Sequence, residues 1–264
     1  SREIMKRLGP NGKLFGFDQD EDALANVIED DRFQLINENF RFIKRYLRFH
    51  GIKQVDGILG DLGVSSHQFD VAERGFSTRF EAELDMRMNQ KGDLSAYNVI
   101  NDYDESQIAS VLSQYGELTN ARAMASAIVT ARAENEIKNS EQLKQILSRF
   151  LPGHKSNKIL AQIYQAIRIE VNQEMDVLKE FLEQSLELLK PEGRLSIISY
   201  HSLEDRLVKR YMKNGMFEGE PEKDMFGRFE VPFKLIGKMI IPSDEEIKIN
   251  NRARSAKLRI AEKK

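Results

Sequence analysis

Short apolar runs and helical stripes alternate along the first sixty residues. Lys13 to Phe17 is apolar, follows the turn Gly9-Pro10-Asn11-Gly12 and ends at Asp18. A run of that length behind turn residues predicts a strand. From Asp20 to Glu29, Ala23, Leu24, Val27 and Ile28 recur at helical spacing and predict a helix with one apolar face. Phe33 to Ile36 predicts a second strand, and Phe40, Ile43 and Leu47 a further helix. Val55 to Leu62 predicts a third strand, buried because its aliphatic positions are nearly continuous. Alternating strands and helices imply a largely parallel sheet covered on both faces.

From about Ser95 to about Asn172 only helical periodicity remains. Asp104 with Gln107 has the form of a capping box, with Ile108, Val111, Leu112 and Tyr115 behind it. Ala121 to Ala133 is Ala-rich. Ser140 is the expected N-cap of a helix carrying Leu143, Ile146, Leu147 and Phe150. Leu151-Pro152-Gly153 breaks the pattern, and Ile159, Ile163 and Ile167 begin another helix. The α/β pattern then resumes. Met175, Leu178, Leu182, Leu186 and Leu189 mark a helix, 190–193 a turn, and Arg194 to Ser199 a strand that ends in Tyr200-His201-Ser202. Phe233 to Met239 and Ala256 to Ala261 are expected to close the sheet as an antiparallel pair. The fold class is therefore α/β: a domain made of 1–94 and 173–264, with an all-helical insertion at 95–172 that shapes a substrate cleft.

Composition narrows the chemistry. The 264 residues are 41% hydrophobic and 31% charged, and no apolar run approaches the ~20 residues of a membrane span. There is no cysteine. That excludes disulfides, Cys-based metal sites and thiolate attack on a base ring, and it fits a cytoplasmic location. His50, His67, His154 and His201 are scattered without an H-E-x-x-H pattern, so no metal is expected. A net charge of −2 argues against coating nucleic acid by bulk electrostatics, but leaves room for local basic patches. Three stand out: Arg41-Lys44-Arg45-Arg48, Arg206-Lys209-Arg210-Lys213 and Arg252-Arg254-Lys257-Arg259. Each reads as a nucleic-acid contact or as a solvated face.

Two acids end strands. Asp18 reads as a ribose-binding acid or as a helix N-cap. Asp61 opens the loop Asp61-Leu62-Gly63-Val64-Ser65-Ser66-His67-Gln68, at the carboxyl end of a strand where open α/β sheets hold their ligands. No G-x-G-x-x-G fingerprint is present, which disfavours a nicotinamide enzyme. The two acids, with K-P-x-G-R (190–194) before a later strand, resemble the order in Rossmann-like methyltransferases that use S-adenosylmethionine.

The resemblance sharpens over the whole chain. D-L-G-V-S-S-x-Q, E-R-G-F-S, L-D-M-R-M (84–88), Q-A-x-R-I-x-V-N-x-E (165–174), S-Y-H-S-L-E-D-R (199–206) and N-x-R-A-R-S-A-K-L-R (250–259) occur in that order. Together they closely resemble the bacterial MraW/RsmH family, which methylates the exocyclic 4-amino group of a cytidine in 16S ribosomal RNA. The resemblance implies S-adenosylmethionine as cofactor, bound by Asp18, Phe40, Asp61 and Gln68. The family has Pro where this chain has His67, and Pro before L-D-M-R-M where this chain has Glu83. The implied partner is 16S rRNA or the assembled small ribosomal subunit, with no membrane, and a homodimer is compatible. The family also opens with a strand and a glycine-rich turn, roughly G-x-G-G-H, ahead of the residue matching Ser1. The expectation is therefore a first strand and loop absent from this chain, a gapped or rearranged sheet, and weak cofactor binding.

The reaction itself sets requirements. A cytosine amine is a poor nucleophile, and direct in-line attack on a sulfonium methyl needs orientation and an acceptor for the amine hydrogens. Ser65 and Ser66, beside Asp61, are the candidate catalytic hydroxyls. His201 is a candidate proton acceptor or base-stacking group, with a purely structural role as the other reading. Arg252, Arg254 and Lys257 are the candidate RNA contacts. Two further functions compete: a methyltransferase of the same fold acting on protein or a small metabolite, and a catalytically silent RNA-binding module.

Overall fold

A computed structural model describes residues 1–219, 221 and 230–264. In chain order its helices and strands are α1 (Arg2–Arg7), β1 (Leu14–Phe17), β2 (Phe33–Ile36), α2 (Ile43–Phe49), β3 (Val55–Asp61), α3 (Ser66–Asp70), α4 (Ala96–Asn101), α5 (Glu105–Gln114), α6 (Ala121–Glu134), α7 (Ser140–Ile146), α8 (Ser156–Val171), α9 (Glu174–Leu188), β4 (Leu189–Ser199), α10 (Ser202–Asn214), β5 (Phe233–Leu235), α11 (Asp244–Ile249) and β6 (Lys257–Lys263). The chain divides into two compact units. The first comprises Ser1–Asp18, Ala25–Gly63 and Met175–Lys264; the second comprises Gln19–Leu24 and Val64–Glu174. The main segment of the second unit thus starts at Val64, ahead of the Ser95 expected for the insertion.

The first unit carries two separate sheets. β1 and β2 pair in parallel, Leu14 opposite Phe33 through Phe17 opposite Ile36. The other sheet has the order β3-β4-β6-β5, with β3 parallel to β4 and the remaining pairs antiparallel. The expected C-terminal antiparallel pair is present, and β6 also runs antiparallel to β4, with Leu195 opposite Ala261. Leu195, Ile197 and Ala261 are fully buried, together with Leu182 of α9 and Met212 of α10. Period-two burial along β4 is what a strand with one covered face requires.

Two expectations about local elements before residue 64 need correction. β3 is not buried throughout. It ends its sheet, and Ile58 and Gly60 face inward while Leu59 is 54% exposed. Continuity of aliphatic residues cannot distinguish a doubly covered strand from an edge strand. The predicted helix from Asp20 to Glu29 is only a 3₁₀ segment, Glu21–Asn26, and Leu24 and Val27 of its apolar face are exposed.

The second unit is helical, around a core that includes Met86, Ile100, Ile108, Leu112, Ile128, Leu143 and Ile163. Three of its helix starts are written in the sequence as capping boxes: Ser95 with Asn98, Asp104 with Gln107, and Asn139 with Gln142. The cap expected at Ser140 lies one residue earlier. Ser140 instead buries its hydroxyl, which accepts from the Ala82 amide at 3.0 Å and donates to the Phe80 carbonyl at 3.2 Å. In α8, Leu160, Ile163, Tyr164, Ile167 and Val171 form a buried stripe at helical spacing. No helix among the described residues is long and apolar enough to cross a membrane.

Candidate active site

In the first unit the candidate residues gather at carboxyl ends of strands. Asp18 follows β1 and is exposed; its amide donates to Ile36 O at 3.2 Å and its carbonyl accepts from the Asn37 side chain at 2.9 Å. Phe40 follows β2 and is half-buried. Its ring meets Phe181 of α9 edge-on, with centroids 4.9 Å apart. Gly60 makes room for Phe181, because a Cβ at that position would sit 3.0 Å from its ring and 2.9 Å from Ile197. Phe40 is thereby tied to the strand whose last residue is Asp61.

Asp61 accepts a hydrogen bond from the Tyr200 hydroxyl at 2.9 Å. Tyr200 lies just past β4, the parallel neighbour of β3, so the pair bridges two adjacent strand ends. Asp61 is exposed at its tip yet crowded by protein atoms. That crowding pushes its carboxyl above the usual carboxylate range; the Tyr200 hydrogen bond opposes the shift and the Glu204 charge adds to it. Burial, then Asp61, push Tyr200 up to about 12, so it is a donor at any working pH. The Asp–Tyr pair was not foreseen. The only signal was an aromatic one residue past a parallel strand.

His201 is the N-cap of α10. Its Nδ1 accepts from the Glu204 amide at 3.5 Å, and Glu204 Oε2 accepts from the Tyr200 and His201 amides at 2.9 and 3.4 Å. A ring accepting at Nδ1 carries its proton on Nε2. That atom is buried and stands 3.2 Å from Glu204 Oε1, outside hydrogen-bonding geometry. In this tautomer the ring has no spare acceptor, which favours the structural reading of His201 over a proton acceptor.

In the second unit Ser65 and Gln68 form the capping box of α3. Ser65 Oγ accepts from the Gln68 amide at 3.2 Å, and Gln68 Oε1 accepts from the Ser65 amide at 3.0 Å. Gln68 is 4% exposed, and its Nε2 donates to Asp20 at 2.6 Å. Ser65 and Ser66 are exposed. The centre of this region is Arg74, of E-R-G-F-S, which sequence reasoning did not single out. Its guanidinium is 6% exposed, contacts Asp20 at 2.8 and 3.1 Å and Asp22 at 2.8 Å, and donates to the Arg87 and Met88 carbonyls. Burial pushes Asp20 upward, but hydrogen bonds from Arg74, Gln68 and the Asp22 amide outweigh it and hold the carboxyl below its usual range. Gly75 follows at φ +72°, and a Cβ there would lie 2.7 Å from the Glu83 carbonyl, so the turn after Arg74 requires glycine.

The basic candidates divide. Lys257 and Arg259 reach Asp205 of α10 at 3.3 and 2.7 Å, and burial of Asp205 is overcome by these two cations. Arg252 and Arg254 are exposed in the 3₁₀ turn Asn251–Ser255. Of the first patch, Arg41 pairs with Glu180 and Lys44 with Glu187, both on α9.

Comparison with known proteins places the chain. The model of the MraW methylase family matches residues 1–264. A protein of Flavobacterium psychrophilum named ribosomal RNA small subunit methyltransferase H is 75% identical over 264 residues, which are all of this chain and 91% of the relative. Proteins of the same name from Flavobacterium johnsoniae and Bacteroides thetaiotaomicron are 74% and 52% identical, each across all of this chain and 87% of the relative. The chain belongs to the MraW methylase family.

Proposed function

We propose that this protein is a ribosomal RNA methyltransferase that transfers a methyl group from S-adenosylmethionine to the exocyclic 4-amino group of a cytidine in 16S rRNA. The observation that carries this reading is the Asp61–Tyr200 pair at two adjacent parallel strand ends. It is joined by family membership and by the printed name of the relatives.

The residues present fit the cofactor. Asp18 offers a carboxylate to a ribose diol, and Phe40 offers a ring fixed by Phe181 to an adenine. Gln68 fits less directly, since its oxygen and one N–H are already taken. When bound, S-adenosylmethionine supplies an activated methyl. The work left to this chain is to orient the amine and to stabilise positive charge as it develops on nitrogen. Tyr200 holds Oδ1 of Asp61, which leaves Oδ2 to accept an amine hydrogen. Ser65 can donate its hydroxyl proton while its oxygen caps α3. His201 fixes the start of α10. The base must be unpaired or flipped to enter. Arg252, Arg254 and the helical unit are assigned to RNA, and the compartment to the cytoplasm.

We further read the two sheets of the first unit as halves of one Rossmann-like sheet. The exposure of Leu59 and the absence of a described strand pairing β3 on its outer edge support a parallel strand between β1 and β3.

The test uses the 264-residue chain, and the chain extended to the full length of its relatives. Each is incubated with small ribosomal subunits and methyl-labelled S-adenosylmethionine, followed by nuclease digestion and mass spectrometry. N4-methylcytidine from 16S rRNA is the expected product. Labelling of protein, of another base, or of nothing by either form overturns the reading.

A further inference from the structure

Between Glu141 and Glu170 the chain has no Asp or Glu, although acids number 42 in 264 residues. The same stretch holds Lys144, Arg149, His154, Lys155, Lys158 and Arg168. Two of these are neutralised by acids at its borders: Lys144 by Glu141 at 3.2 Å and Arg168 by Glu174 at 2.7 Å. Arg149, His154, Lys155 and Lys158 are exposed and form no ion pair with any described residue. Some lysines elsewhere sit beside acids, as Lys91 does with Glu21 and Lys179 with Asp176.

The segment that carries the four is ordered by backbone turns. Residues 147–158 coil through consecutive turns, closed by Phe150 N–H to Leu147 O at 2.9 Å, Leu151 N–H to Ser148 O at 3.0 Å and Lys155 N–H to Pro152 O at 2.8 Å. Leu147 and Leu160, both buried, anchor the ends of the segment in the helical core. Lys155 and Lys158 are neighbours at i,i+3. The Arg149 guanidinium lies over the Phe150 ring, 4.7 Å from its centroid. The four cations thus stand on an ordered backbone, in a stretch that has no acid of its own to offset them.

Such a surface favours a polyanion, whose bound counterions are released on contact. An arginine stacked on an aromatic is also a platform for an unpaired base. A membrane surface fits less well, because an interfacial helix presents large apolar residues beside its cations, and none of the exposed large hydrophobics lies between residues 142 and 169. We propose that the surface formed by Arg149, His154, Lys155 and Lys158 binds the phosphate backbone of the RNA substrate. The proposal rests on the RNA reading above.

The test measures binding of the 264-residue chain to 16S rRNA fragments by fluorescence anisotropy across a range of salt. Removing three charges with Arg149→Ala, Lys155→Ala and Lys158→Ala should lower the slope of log K against log salt by about 2 to 3. A charge-keeping variant, Arg149→Lys with Lys155→Arg and Lys158→Arg, should retain the slope. So should a control at Lys6, Lys138 and Lys144, each beside a glutamate. An unchanged slope in the alanine variant overturns the proposal while leaving the RNA reading intact. Weakened binding to phosphatidylserine vesicles with RNA binding unaltered assigns the surface to membranes and also overturns it. No salt-dependent RNA binding by the unaltered chain overturns both readings.

Discussion

Two carboxylates, Asp20 and Asp61, show how one residue type is put to opposite uses. Asp20 is buried against the Arg74 guanidinium and the Gln68 amide, and its pKa is held down. Asp61 has a phenol for a partner and forms no ion pair among the described residues, and its pKa is pushed up. A buried carboxylate already taken up by a guanidinium and two amide donors has little capacity left for a ligand; its value lies in fixing the chain around it. A crowded carboxylate with one neutral donor keeps a free oxygen and a charge that its surroundings do not cancel. That is the condition for meeting a developing positive charge. Under the proposed function, the Arg74 cluster serves the fold and the Asp61 pair the chemistry.

Arg74→Ala is the most damaging way to probe the first member. It leaves Asp20 buried without its cation, a change that typically costs ~3–5 kcal/mol. The urea midpoint should fall accordingly. A midpoint within error of the unaltered chain would show that Asp20 does not depend on Arg74. Asp61→Asn probes the second. Methyl transfer to small subunits should fall by about 10²–10³, with little change in the urea midpoint. If Asp61→Asn destabilised the fold as much as Arg74→Ala, the distinction between the two acids would collapse.

Asp18 adds a third case, an acid exposed at a strand end. Asp18→Ala should weaken S-adenosylhomocysteine binding by ~1–3 kcal/mol in calorimetry, through loss of charge-assisted hydrogen bonds. Unchanged affinity in a folded variant would return Asp18 to a purely local role.

Much of this was legible in the sequence, and the failures have physical causes. Strands β1, β2 and β3 and the box at Asp104 follow from local patterns, because turns and caps are made by residues a few positions apart. Exposure of Leu59 was not legible, since it depends on what lies beside β3 and not on β3 itself. Arg74 and Tyr200 were overlooked for a similar reason: their partners, Asp20 and Asp61, are 54 and 139 residues away. The basic patches teach the same lesson. The C-terminal motif spans 252–259, but Lys257 and Arg259 are tied to Asp205. The unpaired cations at 149–158 attracted no notice, because the signal there is a missing residue type.

The subtlest test concerns Tyr200 itself. Its hydroxyl stabilises the charged form of Asp61 and so opposes the upward push of burial. In Tyr200→Phe that opposition is gone, at a cost of about 1 kcal/mol for one hydrogen bond. Two consequences follow with defined signs. If catalysis needs the Asp61 carboxylate, the acid limb of the pH–rate profile moves to higher pH. The fold responds in the opposite sense. A carboxyl whose folded pKa lies above its unfolded value stabilises the fold at low pH, and that contribution is lost as pH rises through the folded pKa. Tyr200→Phe enlarges this dependence, so its melting temperature should fall further below that of the unaltered chain at pH 8 than at pH 4. Asp61→Asn removes the dependence and should flatten the curve. An acid limb that stays in place in Tyr200→Phe, with turnover otherwise intact, would mean that another group controls the pH dependence and that Tyr200 only braces the strand ends.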